Sequence, residues 1–141
     1  MARFFWDTNH YIYPFEGHPA FQPAVVRLRQ WMLLQHDELL TSALALGEIQ
    51  VKALNEAHPE LAEDLKRRVL ASSQIVSFDA MAGDAFAHIR ATTNVKGADA
   101  VHLACAMTTG VDFFITNDTD LHKLLMPGIG RITSAQLIPA P

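Results

Sequence analysis

Short apolar runs alternate with stretches of helical periodicity along this chain, and that alternation leaves few folds open to it. The runs are Phe4–Trp6, Glu38–Thr41, Gln74–Phe78 and Val111–Thr116, with a last edge strand over Arg131–Ser134. Phe4-Phe5-Trp6 shows no clean polar/apolar alternation, which suits a central strand covered on both faces. Between the runs, Pro23 stands near the start of a helix over Ala24–Gln35. Thr41 or Ser42 caps another over Ala43–Ala57, and Pro59 opens a third over Glu60–Ala71. Asp79 begins a helix that reaches Thr92. Lys96-Gly97 breaks it, Ala98–Thr109 follows and Gly110 ends that one, while a short helix over Thr119–Leu125 stops at Pro127-Gly128. Only His10–Pro19, with Pro14, Gly17 and Pro19, carries too many breakers to stay regular for long. Strands that alternate with helices in this way predict an α/β fold, a three-layer α/β/α sandwich with a central, mainly parallel sheet.

The 141 residues suit one domain over 1–141, and the 50% hydrophobic content argues against disorder. No apolar run is long enough to span a bilayer. The first strand follows directly on Met1-Ala2-Arg3, which leaves no room for a cleavable leader and predicts a cytoplasmic protein. Cys105 is alone in an apolar run and reads as a small core residue. With a formal charge of −4, the chain does not hold nucleic acid by bulk electrostatics, so a nucleic-acid role needs a local basic patch or bound metal. Seven histidines occur without an HExxH pair, and there is no cysteine pair, which removes support for structural zinc. Lys66-Arg67-Arg68 sits late in a helix whose Glu60, Glu63 and Asp64 lie early, the order that suits the helix dipole. Val26, Trp31, Leu33 and Leu34 widen the apolar surface of the Ala24–Gln35 helix, a second face expected to pack within the domain rather than against a partner.

Four acids stand where a purely structural acid is awkward. Asp7 ends the first strand, followed by Thr8 and Asn9, and Asp118 follows the Val111–Thr116 strand. In open α/β sheets the space beyond the carboxyl ends of the strands is the working crevice. Asp99 lies in the first turn of a helix apolar nearly all round, and Glu48 shares a helix face with Leu44 and Val51. Each has a plainer reading as well: a strand-ending turn for Asp7 with Asn9, a surface pair with Lys52 for Glu48, favourable dipole placement for Asp99, and an N-cap for Asp118. Asp120 is near enough to take the part of Asp118, and Thr116 and Asn117 add neutral hydrogen-bonding groups. His102, one turn after Asp99, reads as a satisfied core histidine rather than a ligand.

Together the four acids make one physical proposal, with two from strand ends and two from helices meeting at one edge of the sheet. Such a cluster repels itself and raises its own pKa values unless something compensates. An oxygen-rich, sulfur-free set suits hard divalent cations, Mg²⁺ or Mn²⁺, which neutralise it and keep several waters. Metal held this way can activate water for in-line attack on phosphorus, and it lets an acidic protein handle a polyanion.

The ordered motifs Asp7-Thr8-Asn9, Thr41-Ser42 with Glu48-Ile49, Gly97-Ala98-Asp99-Ala100 with Leu103-Ala104, and Ile115-Thr116-Asn117-Asp118 with Asp120-Leu121 resemble the PIN domain. They are most similar to those of VapC-type toxins from bacterial toxin–antitoxin pairs, and the resemblance covers essentially the whole chain. It implies a PIN-like fold and a Mg²⁺- or Mn²⁺-dependent endoribonuclease acting on single-stranded or loop RNA. By motif, Asp7, Glu48, Asp99 and Asp118 would bind the metal and carry catalysis, with Asn9 and Thr116 supporting them by hydrogen bonds and Asp120 as a substitute for the fourth acid. Leu121 departs from the phenylalanine of many relatives, a difference of packing. The resemblance also implies a small antitoxin partner and a homodimer. Two other classes fit less well. A PIN-like module that binds RNA or protein without cleaving has no need of all four acids, and an aspartyl phosphatase usually needs a second acid where Asn9 stands.

Overall fold

Phe4 and Phe5 pair on both sides at once, and that places the first strand at the centre of the sheet. A computed structural model describes residues 1–138. Among them, β1 (Arg3–Trp6) lies between β2 (Glu38–Ser42) and β4 (Val111–Ile115). β3 (Gln74–Val76) flanks β2 and β5 (Ile129–Thr133) flanks β4, so the order is β3-β2-β1-β4-β5. Every pairing is parallel. The register aligns Phe5 with Leu40 and Phe114, and Phe4 with Leu39 and Phe113.

Period-two alternation then sends these rows to opposite faces. Phe5, Leu40, Phe114 and Ile132 meet α5 (Ala80–Thr92) and α6 (Gly97–Thr109) through Ala82, Ile89, Ala100, Leu103 and Ala104. Phe4, Trp6, Leu39 and Ile115 meet α2 (Gln22–Gln35) through Ala24, Val25, Leu28 and Met32. The expected three layers are therefore present, with a wholly parallel sheet. α3 (Ala43–Asn55) touches β2 and β3 and packs on α4 (Pro59–Ser72). Cys105 is fully buried in the α5/α6 layer, and burial pushes its thiol up to about 11. Among the described residues, no helix is long and apolar enough to cross a membrane.

Four expectations need correction. The breaker-rich segment after Asn9 is a helix, α1 (Thr8–Glu16), with Pro14 inside its last turns. It stops where Gly17 turns left-handed (φ 69°) and donates its N–H to the Tyr13 carbonyl. The second apolar face of α2 stays out of the core: Leu33 and Leu34 are 58% and 73% exposed. Only the stripe through Ala24, Val25, Leu28 and Met32 reaches the sheet, and among the described residues no layer covers Leu33 and Leu34. The short helix expected over Thr119–Leu125 contracts to a 3₁₀ turn at Leu121–Lys123, because a side-chain-closed turn at Asp118 precedes it. The last strand begins earlier than expected, at Ile129, after Gly128 turns the chain at φ 83°.

At the amino end of β1, the Arg3 guanidinium donates to the Thr109 and Gly110 carbonyls and pairs with Glu38. That end of the sheet is closed by the chain's own groups. The opposite, carboxyl ends of β1 and β4 are where Asp7 and Asp118 emerge.

Candidate active site

Strand order makes the site. The chain leaves β1 towards β2 and β3, then returns on the other flank with β4, so the carboxyl ends of β1 and β4 part at a topological switch point. Asp7 follows β1 there, and its backbone N–H donates to the Ile115 carbonyl of β4 at 3.3 Å. Thr116 continues from β4, buried, with its N–H on the Thr133 carbonyl. Its hydroxyl accepts from the Asp118 N–H at 3.2 Å. The Asp118 carboxylate accepts in turn from the Asp120 N–H at 3.0 Å, and the His122 ring donates to the Thr116 carbonyl at 2.8 Å. The Thr116 hydroxyl thus holds the Asp118 backbone N–H.

Asp7 caps α1, and its Oδ1 accepts from the buried His10 ring Nδ1 at 2.7 Å. His10 Nε2 is buried and has no partner. On the neighbouring helix, Ser42 and not Thr41 is the cap of α3; the Thr41 hydroxyl instead donates to the Trp6 carbonyl at 2.8 Å. Glu48, two turns along α3, does not pair with Lys52, which binds Glu16. Its Oε1 accepts from the Thr8 hydroxyl at 2.7 Å and lies 3.0 Å from His102 Nε2. The other ring nitrogen of His102 sits 2.7 Å from the Ser42 hydroxyl.

Asp99, in the first turn of α6, reports that the acids share one field. Burial chiefly, and then the charges of Asp118, Asp7 and Glu48, push its carboxyl above the usual range, while His102 pulls the other way. Asp118 and Asp120 both line the cavity that Asp99 lines. A raised folded-state pKa means that ionisation works against the fold. The folded chain then binds more protons than the unfolded one, so the stability of metal-free protein is expected to fall as pH climbs from the ordinary aspartate range through the raised value. Asp99→Asn should flatten that part of the profile. Urea midpoints of both proteins, followed from the ordinary aspartate range upward in pH, check it, and parallel profiles would remove the coupling.

Asn9 departs from expectation. It is exposed on the first turn of α1 and makes no hydrogen bond to the acids among the described residues, because that turn points it outward. The supporting bonds come from Thr8, His10 and His102 instead, groups the sequence marks only by their spacing to Asp7 and Asp99. Asp99, Asp118 and Asp120 line a cavity of about 640 Å³ together with Asn94, Lys96 and Lys123. That volume lies within the range of about 300–1,000 Å³ usual for small-ligand sites. Lys66, Arg67 and Arg68 pair with Glu63 and Asp64 of their own helix, as a solvated helix end would.

Among the described residues, no three acid, histidine or cysteine groups stand close enough to cage an ion by themselves. The donor set nonetheless fits Mg²⁺ or Mn²⁺: it is carboxylate oxygen without sulfur, and such ions commonly take one or two carboxylates and keep waters elsewhere.

Comparison with known proteins follows this geometry. The PIN domain family model matches residues 4–124. Comparison with curated protein sequences finds no match. Among solved structures, the chain is similar to DNA-bound VapBC2 from Rickettsia felis at a TM-score of 0.73 and 16% identity, covering 94% of this chain and 97% of that one. It is similar to DNA-bound VapBC from Salmonella typhimurium at 0.70 and 23% identity, covering 96% and 99%. A toxin–antitoxin complex from Klebsiella pneumoniae matches at 0.62 and 22% identity, covering 89% and 93%. These likenesses are of fold. With the family model spanning the site from β1 to the turn after Asp118, the chain belongs to the PIN domain family.

Proposed function

We propose that the protein is a Mg²⁺- or Mn²⁺-dependent endoribonuclease and the toxin of a toxin–antitoxin pair. The observation that carries the reading is geometric: Asp7 leaves the carboxyl end of β1 beside β4, which leads to Asp118, and Asp99 and Asp118 line one cavity. Asp7, Glu48, Asp99 and Asp118 would hold the cation, which when bound neutralises the cluster and polarises water for attack on a phosphodiester. The chain's own part is to hold these carboxylates in register and to position the polyanion. Two of its four lysines, Lys52 and Lys66, are paired with acids. The other two, Lys96 and Lys123, carry no ion pair among the described residues, and both line the acidic cavity. They supply the local positive charge that a net-acidic chain lacks in bulk, and each is placed to meet a phosphate flanking the reacting one.

A small antitoxin partner is proposed because two of the similar structures are VapBC proteins on DNA and the third is a toxin–antitoxin complex. A homodimer and a cytoplasmic location go with that reading. The alternative is a PIN-like module that binds RNA or protein without cutting, and the absence of a tight three-donor group among the described residues favours it.

Cleavage of total RNA by the purified chain, with Mg²⁺ or Mn²⁺ and with EDTA, separates the two. Discrete metal-dependent fragments are expected; intact RNA in every condition, from folded protein free of antitoxin, would favour the binding module. Lys96→Ala with Lys123→Ala should weaken RNA binding and reduce the slope of log affinity against log salt by about 1–2, one for each phosphate no longer neutralised. An unchanged slope would place the RNA elsewhere.

A further inference from the structure

Two acids of the site, on different helices, are held in the same way. Glu48 offers Oε1 to His102 at 3.0 Å and to the Thr8 hydroxyl at 2.7 Å, and Asp7 offers Oδ1 to His10 at 2.7 Å. In each case the protein's side-chain bonds fall on one carboxylate oxygen. Both histidines are buried, at 3% and 0% exposure, so their ring planes are fixed by packing and not by solvent. An ionised carboxylate only accepts, so the nitrogen facing it carries the proton in both rings. His102 is held from behind as well, because its Nδ1 lies 2.7 Å from Ser42, whose hydroxyl also accepts from the Ala45 N–H at 3.0 Å. A line of bonds thus runs from the start of α3 through α6 and back to Glu48 on α3.

We propose that His102 and His10 are positioning residues, each tying down one oxygen of Glu48 or Asp7 and so presenting the other oxygen to a divalent cation. The inference rests on the metal-dependent reading of the site and adds two residues to it. Losing a group that orients a ligand side chain typically costs about 10–100-fold in metal affinity, because an unheld carboxylate must be ordered when the ion arrives.

The two rings present different nitrogens, and this gives a crossed test. Glutamine places its amide near the Nε2 position of histidine and asparagine near Nδ1. His102→Gln therefore keeps the donor to Glu48 and His102→Asn loses it, whereas His10→Asn keeps the donor to Asp7 and His10→Gln loses it. Mn²⁺ affinity measured by calorimetry on the full chain is expected to stay near wild type in His102→Gln and His10→Asn. It should weaken by roughly 10–100-fold in His102→Asn and His10→Gln. A role confined to packing would rank glutamine and asparagine the same way at both positions, so the absence of crossing overturns the proposal. If wild type binds no Mn²⁺, the metal reading itself fails, a result distinct from equal binding by all five proteins. Should a histidine variant not fold, Thr8→Val, at a half-buried site, removes the second bond to the same Glu48 oxygen. Weaker Mn²⁺ binding in that variant supports the pinning, and unchanged affinity overturns it.

Discussion

Asp99→Asn is expected to lower metal-dependent RNA cleavage by about 10²–10³-fold, the scale of losing one group that stabilises charge in a transition state. The amide keeps the shape of the carboxyl but removes the charge the cation needs, and it turns one oxygen into a donor. The fold should survive, because the wild-type carboxyl is already disfavoured in its charged form by burial and by its three acidic neighbours. In metal-free protein the variant should be at least as stable as wild type. Single-turnover cleavage in Mn²⁺ beside a urea titration checks both halves. Activity within tenfold of wild type would take Asp99 out of the chemistry, and a marked loss of stability would show that its charge serves the fold.

Phe5→Ala is expected to cost about 3–5 kcal/mol of folding stability. Phe5 is fully buried, in register with Leu40 and Phe114, and its ring stacks on Phe114 with centroids 5.3 Å apart. No backbone shift can refill that space without moving the central strand, which is paired on both edges. Against a typical total of about 5–15 kcal/mol, the loss removes a large share of the stability and should reach the site, since Asp7 stands two residues further on. Chemical denaturation gives the number; a cost below about 1 kcal/mol would mean that the two aromatic rows are not the core.

Much of this architecture is legible in the sequence because burial on both faces leaves a coarse mark. Phe4-Phe5-Trp6 and the apolar helix after Gly97 have no polar face to misplace, and their neighbours must be layers. Asp7, Asp99 and Asp118 are legible for the complementary reason, as charges set at the ends of such segments. What is hidden is what depends on side-chain direction. α1 is obscured by Pro14, which lies beyond the first turn, lacks the N–H of an interior helical bond and reads in isolation as a stop. His10 is hidden with it, although it stands three residues after the helix cap that it binds. His102 is legible as a satisfied histidine, but not that one of its partners would be Glu48. Asn9 fails for the same reason in reverse, since its place in a motif says nothing of where the first helical turn points it. The exposed Leu33 and Leu34 show that apolar periodicity marks a face without saying whether the fold supplies a layer to cover it.

The strand order also sets a timetable. β1 is made first and stays unfinished on one side until β4, more than a hundred residues later, arrives to pair with it. The acids arrive in the same sequence, from Asp7 to Asp118, and they gather only across that last pairing. Long-range parallel pairing is slow, because the intervening chain must be ordered before the contact repays it. A growing chain on the ribosome therefore carries three of the four acids and no assembled centre. For a protein read as toxic to the cell that makes it, this topology withholds the harmful activity until β4 and the turn after it have been made.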